Sequence, residues 1–213
     1  VARSTLPGQV IGTPGGSLHG ATWAANADVA RTGARGEERT AVLLDALARR
    51  PGGPTVLHDV EIRQGKAVYN VDHVVVSGRD VYLVDSKSWA GGWYVTLRGV
   101  TFRGAKRFPY ADKKTMGLAR TYLTGLGLHV TGSVLAVWPS SKHAVLHLFW
   151  ARNPTAKVLP ADAAVRWVAR RATKPADPAT VATLTPLVVS VRADRRSARR
   201  APGGQVEDFP WAA

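Results

Sequence analysis

The run Asn70-Val71-Asp72-His73-Val74-Val75-Val76-Ser77-Gly78-Arg79-Asp80-Val81-Tyr82-Leu83-Val84-Asp85-Ser86-Lys87 sets two carboxylates and an ammonium inside valine-rich stretches. Read as a hairpin turning at Gly78-Arg79, it pairs Ser77 with Asp80. Counting outward from the turn then sets Asp72 opposite Asp85. Side chains alternate along a strand, so Lys87 projects on the same side as Asp85. Acids and a base among valines are costly to bury without a task. The plain alternative, an ion pair of Lys87 with one acid, leaves the other carboxylate unmatched. The pattern suits a divalent cation and a water attacking a phosphate.

A third acid comes from the preceding segment. A helix is expected from Ala34 to Arg50, stopped by Pro51-Gly52-Gly53. On it Glu37 shares a stripe with Ala41, Leu44 and Ala48, whereas Glu38 lies near Asp45 and Arg49 on the polar side. Glu37 is therefore the carboxylate turned inward. An acid favoured only by the helix dipole describes Glu38 better.

The elements that must position these groups follow from pattern and punctuation. Residues 1–30, with Pro7-Gly8 and Pro14-Gly15-Gly16, read as an irregular leader with Trp23 as an anchor; 31–192 read as one domain and 193–213 as a basic flexible tail. Val56 to Arg63 is a first strand. Trp93 to Phe102 gives short strands turning near Gly99, and Asp112 to Leu126 a helix. Val130 to Trp138 and Ala144 to Ala151 are strands; Ala161 to Arg171 and Ala176 to Val191 are helices. This order predicts an α/β fold with a mixed central sheet flanked by helices. The strands Val71–Val76 and Val81–Val84 are apolar on both faces, as central strands are.

Composition narrows the partners. The chain has 213 residues, 45% hydrophobic, and its 29 lysines and arginines against 15 acids give +14. That charge favours polyanions, nucleic acid first and an anionic membrane surface second. There is no cysteine, which excludes disulfides and thiolate metal sites. No apolar run approaches a membrane span, and no secretory signal is evident, so a cytoplasmic location is expected. His143 and His147 have zinc-helix spacing, but their segment is strand-like and no Glu follows His143; the Gly-rich stretches lack a phosphate-loop lysine.

Three ordered motifs resemble the nuclease-related domain (NERD) family. They are Gly36-Glu37 at the start of a helix, Asn70-Val71-Asp72-His73-Val74-Val75-Val76, and Val84-Asp85-Ser86-Lys87-Ser88-Trp89-Ala90-Gly91. The resemblance is strong over Arg31 to Gly92. It implies a restriction-endonuclease-like fold of the PD-(D/E)xK superfamily and a magnesium-dependent phosphodiesterase, a hydrolase acting on DNA. It also implies the Ser86 backbone carbonyl as a metal ligand. Magnesium takes hard oxygen donors and keeps several waters, so Asp72 and Asp85 suffice as protein carboxylates, with manganese able to substitute. Glu37 would be a further ligand or hold a water on the metal. Lys87 would act by position and charge, since two neighbouring carboxylates keep it protonated.

Arg98, Arg103, Lys106, Arg107, Lys113, Lys114 and Arg120 are the expected contacts to the DNA backbone, interrupted by the single acid Asp112. His73, alternating away from Asp72, is expected to be a hydrogen-bonded buried residue. Trp89 and Trp93 either stack on unpaired bases or close the core after Gly91. Many relatives carry a Gln near the helix after the acid-x-Lys strand, and Phe108 to Thr115 has none; Lys113 or Lys114 would replace its phosphate contact. The rival to a nuclease is a non-catalytic DNA-binding module of a processing or defence complex. A homodimer, or a partner protein on the basic tail, also fits the sequence.

Overall fold

The structure, a computed structural model, describes residues 6–15, 27–65, 67–111, 114–191 and 193. Among these residues the chain forms two sheets. The larger has six strands: β1 (Val10–Ile11), β2 (Thr55–Gln64), β3 (Ala67–Ser77), β4 (Asp80–Trp89), β8 (His129–Pro139) and β10 (Lys157–Pro160), in that spatial order. β2, β3 and β4 are successive antiparallel neighbours, while β1–β2, β4–β8 and β8–β10 are parallel. The smaller sheet has the order β7 (Lys106–Arg107), β6 (Val100–Arg103), β5 (Gly92–Leu97), β9 (Leu146–Trp150). Helices α1 (Ala27–Ala48), α2 (Thr115–Gly125), α3 (Ala161–Ala169) and α4 (Pro178–Leu184) complete the fold.

The expected mixed α/β architecture is present, and the hairpin has the expected register. Ser77 pairs with Asp80 and the ladder runs to His73 opposite Val84. The ladder ends there, one step short of Asp72 and Asp85. Gly78 holds φ at 57°, the left-handed value needed at the first central position of so tight a turn.

Strand alternation divides the core in two. Tyr82 and Val84 pack with Leu44 and Ala48 of α1 and Ala164 and Val168 of α3. Val81 and Leu83 pack on the other face with Met116, Ala119 and Leu123 of α2 and with Leu184 and Leu187. Both faces of β3 and β4 are thus covered, which explains their unbroken valine runs.

Several elements differ from the expectation, among them β1, a short strand inside the segment read as an irregular leader. α1 starts at Ala27, upstream of Ala34, and runs through Gly33 and Gly36 despite their low helix propensity. A Cβ at Gly36 would lie 2.8 Å from Ser88 Oγ, so the glycine permits close approach of α1 to β4. The helix expected over Ala176 to Val191 is interrupted: α4 ends at Leu184 and Thr185–Leu187 form a 3-10 turn containing Pro186. Finally, β10 and the separate small sheet were not anticipated. Trp23 and residues 194–213 of the tail lie outside the described residues.

Replacing Gly78 with Ala should lower stability by about 1 kcal/mol, the cost of a left-handed conformation for a residue with a Cβ. Urea denaturation checks this, and an unchanged midpoint would contradict the assigned turn.

Candidate active site

Asp72, Asp85 and Lys87 are joined through the backbone of Ser86 where β4 passes α1, and Glu37 of α1 lies near enough to interact with them through its charge. Asp72, Asp85 and Glu37 are all buried, Glu37 being 9% exposed. Lys87 Nζ makes an ion pair with Asp85 Oδ2 and donates to the Ser86 carbonyl at 3.1 Å. The Ser86 backbone N–H donates to Asp72 Oδ2 at 2.6 Å. The middle residue of Asp85-Ser86-Lys87 therefore touches both ends of the constellation through its backbone.

Its side chain turns the other way and ties the site to α1. Ser86 Oγ donates to Thr40 Oγ1 at 2.9 Å, and Thr40 donates to the Gly36 carbonyl at 3.0 Å. Trp138 Nε1 also donates to Thr40, at 2.8 Å. One hydroxyl thus joins the residue before Glu37 to the residue between Asp85 and Lys87. From Ser86 the chain of contacts continues to His73 Nε2 at 3.2 Å, from His73 Nδ1 to His58 Nδ1 at 2.8 Å, and from His58 Nε2 to Asp45 at 2.8 Å. His73 is fully buried, and burial lowers the pKa of both imidazoles, His73 the more strongly. A buried polar network of this kind fixes geometry.

The electrostatics follow from burial and like charge. Burial, then the charge of Asp85, raises Asp72 well above the ordinary carboxylate range; Lys87 opposes this. Burial pushes Glu37 up to about 7, again with Lys87 opposing and Asp85 adding. Burial works to lower Lys87, but Asp85 and Asp72 overcome it and its pKa is raised. The lysine is a cation, as expected from its neighbours.

Two features escaped the sequence reading. Asp59, in β2, has φ at 56°, is 2% exposed, and neither of its carboxylate oxygens has a hydrogen-bond partner. The β2–β3 ladder skips it between His58–His73 and Val60–Val71, across from Asp72. Its charge acts on Glu37. An acid interrupting Val56-Leu57-His58-Asp59-Val60 was the available signal. The second feature is a cavity of about 460 Å³ lined by Arg35, Gly36, Arg39, Ser88, Trp138 and Lys142, among others. Arg39 lies over the Trp138 ring at 3.7 Å. This pocket is basic and borders Glu37 in sequence and space.

The expected backbone contacts are spread out. Arg98 is in the β5–β6 turn, Arg103 ends β6, and Lys106 and Arg107 form β7, all exposed. Lys114 caps α2, and Lys113 lies outside the described residues. Arg120 donates to the Val130 carbonyl. Val130 pairs with Val81 and Val137 with Lys87, so Arg120 stands about 20 Å along β8 from the lysine, at 3.3 Å per residue. It is not brought to the site. Trp89 is buried against Tyr94 and Phe108 at ring distances of 4.9 and 5.1 Å, closing the core, whereas Trp93 is exposed.

A mixed sheet whose central hairpin presents Asp and Asp-x-Lys beside an acid from the first helix defines a restriction-endonuclease-like protein. Residues 32–121 match the family model of the nuclease-related domain, NERD. The match spans Glu37, Asp72, Asp85 and Lys87. No curated protein and no solved structure matches the chain. No helix among the described residues is long and apolar enough to cross a membrane.

Two outcomes test this description. Thr40→Val strands the buried Ser86 hydroxyl and Trp138 N–H, and should cost about 2–4 kcal/mol in urea denaturation; a loss below 0.5 kcal/mol, on the order of an ordinary surface change, would contradict the clamp. Glu37 has a raised folded pKa, so the native state holds its proton between about pH 4.5 and 7 and loses that stability as pH rises through this window. In EDTA, Glu37→Gln should therefore be more stable than the parent at pH 8, by up to about 3 kcal/mol. The difference should vanish near pH 4.5.

Proposed function

We propose that this domain is a magnesium-dependent deoxyribonuclease that hydrolyses phosphodiester bonds. The observation that carries this reading is the burial of Asp72 and Asp85 around a single cationic lysine, with the pKa values of Asp72 and Glu37 raised first by burial and then by the neighbouring carboxylates. A surplus of buried carboxylate is what a divalent cation offsets.

The donor set fits magnesium by its chemistry. Among the described residues no three acidic or histidine side chains stand together as a ready ligand cluster. Magnesium, however, commonly takes one or two carboxylates and fills its shell with water. Asp72 and Asp85 would hold it with the Ser86 carbonyl, with Glu37 in support. When bound, the metal neutralises charge on the phosphate and lowers the pKa of the attacking water.

The protein's own groups do the rest. Lys87, kept protonated by Asp85 and Asp72, orients the water and steadies negative charge growing on the phosphate; it is not a free base. Glu37, near neutrality, accepts or returns a proton at the pH of the reaction. Thr40 and Ser86 fix the approach of α1 to the acid-x-Lys strand. Arg35, Arg39 and Lys142 make the neighbouring cavity a place for the DNA backbone. The companion reading, a non-catalytic DNA-binding module, is favoured by the lack of a glutamine between Phe108 and Thr115.

Asp85→Asn should reduce magnesium-dependent cleavage of linear, nicked, branched and single-stranded DNA by on the order of 10²–10³-fold or more, with DNA affinity in EDTA kept. Salt-sensitive binding by the parent without cleavage in magnesium or manganese would support the binding module and sink the nuclease.

A further inference from the structure

The small sheet has one buried face and one open face. Tyr94 and Thr101 are buried, and Thr96 bonds Thr101 at 2.9 Å on the inner side. Alternation turns Trp93, Val95, Leu97, Val100 and Phe102 outward. The ladders align Arg107, Phe102, Val95 and Trp150 in one row across all four strands. In a second row Trp93 pairs with His147, and their rings are stacked at 4.0 Å and 7°.

This face is unusual in both apolarity and charge. Trp93 is 60% exposed, Trp150 57% and Leu97 61%. Single exposed apolar residues need no explanation, but a contiguous set of them across a sheet does. No carboxylate belongs to the sheet: between Asp85 and Asp162 the sequence has Asp112 alone as an acid. Arg98, Lys106 and Arg107 are exposed at its rim. An indole stacked on one side and open on the other offers its free face to a further flat ring. Cations at the edge offer contacts to a phosphate chain. Both demands are met by a strand whose bases are unpaired, and only the second by a duplex.

We propose that the outer face of β5, β6, β7 and β9 binds single-stranded nucleic acid by stacking bases on Trp93 and Trp150 while Arg107 and its neighbours hold the phosphates. β5 begins five residues after Lys87, so the face continues directly from the strand that carries the acid-x-Lys motif. It deepens the nuclease reading by naming unpaired DNA as what enters, and rests on that reading only for the link to cleavage.

The test is fluorescence anisotropy of the full chain in EDTA, with a labelled oligothymidine strand and a hairpin duplex as probes. Trp93→Ala and Trp150→Ala should each weaken binding of the strand roughly tenfold, leave the duplex unchanged, and preserve the far-UV circular dichroism. Arg107→Ala should weaken both probes and flatten the salt dependence. Equal losses on both probes from the tryptophan variants, or no loss from either of them, would overturn the proposal. So would phosphatidylserine vesicles binding through Trp93 while the strand does not, or a dimer that Trp93→Ala dissociates in sedimentation. Asp85→Asn separates the two claims: cleavage lost there with binding unaffected by Trp93→Ala removes the face alone, and cleavage kept with Trp93-dependent binding removes the nuclease site alone.

Discussion

Surplus negative charge held out of water is the constraint from which the rest follows. Asp72 and Asp85 share one ammonium, Lys87, while Glu37 and Asp59 add their charges from α1 and β2. One cation cannot match them. Burial first, and the neighbouring carboxylates after it, raise the pKa values of Asp72 and Glu37, while Asp85 and Asp72 keep Lys87 charged. Such an arrangement costs stability unless something positive joins it. That is why we propose a site for a metal and a phosphate here rather than an ion pair alone.

The surrounding fold restrains these charges on both sides of the sheet. On one side the backbone of Ser86 bonds Asp72 and receives Lys87; on the other its hydroxyl bonds Thr40, which holds the carbonyl just before Glu37. Helix and hairpin thus cannot shift independently. The imidazole pair His73 and His58 extends the same restraint to Asp45 at the outer side of α1. Precise placement of this kind is what in-line chemistry at a phosphate needs.

Much of this was legible because short-range rules govern it. A two-residue turn with glycine fixes register, and register with alternation fixes which of Asp72, His73, Asp85, Ser86 and Lys87 share a face. The 3.6-residue stripe singled out Glu37 from Glu38, and Glu37 is the buried one. What was not legible depends on contacts distant in sequence. Asp59 matters through a local break in the ladder and a positive φ, which composition does not encode. Arg39 and Lys142 meet only because α1 packs beside the end of β8. β10 is a four-residue strand whose partner lies more than twenty residues upstream, and Trp93 looked like a core residue until the second sheet gave it an outer face.

The most direct measurement is calorimetric titration of the metal-free protein with manganese or magnesium at pH 7, repeated in two buffers of different ionisation enthalpy. Our account predicts saturable binding with net proton release, because Glu37, its pKa pushed up to about 7, gives up its proton beside the cation, and loss of binding in Asp72→Asn and Asp85→Asn. No binding by the parent, or binding without proton release that both variants retain, would contradict it.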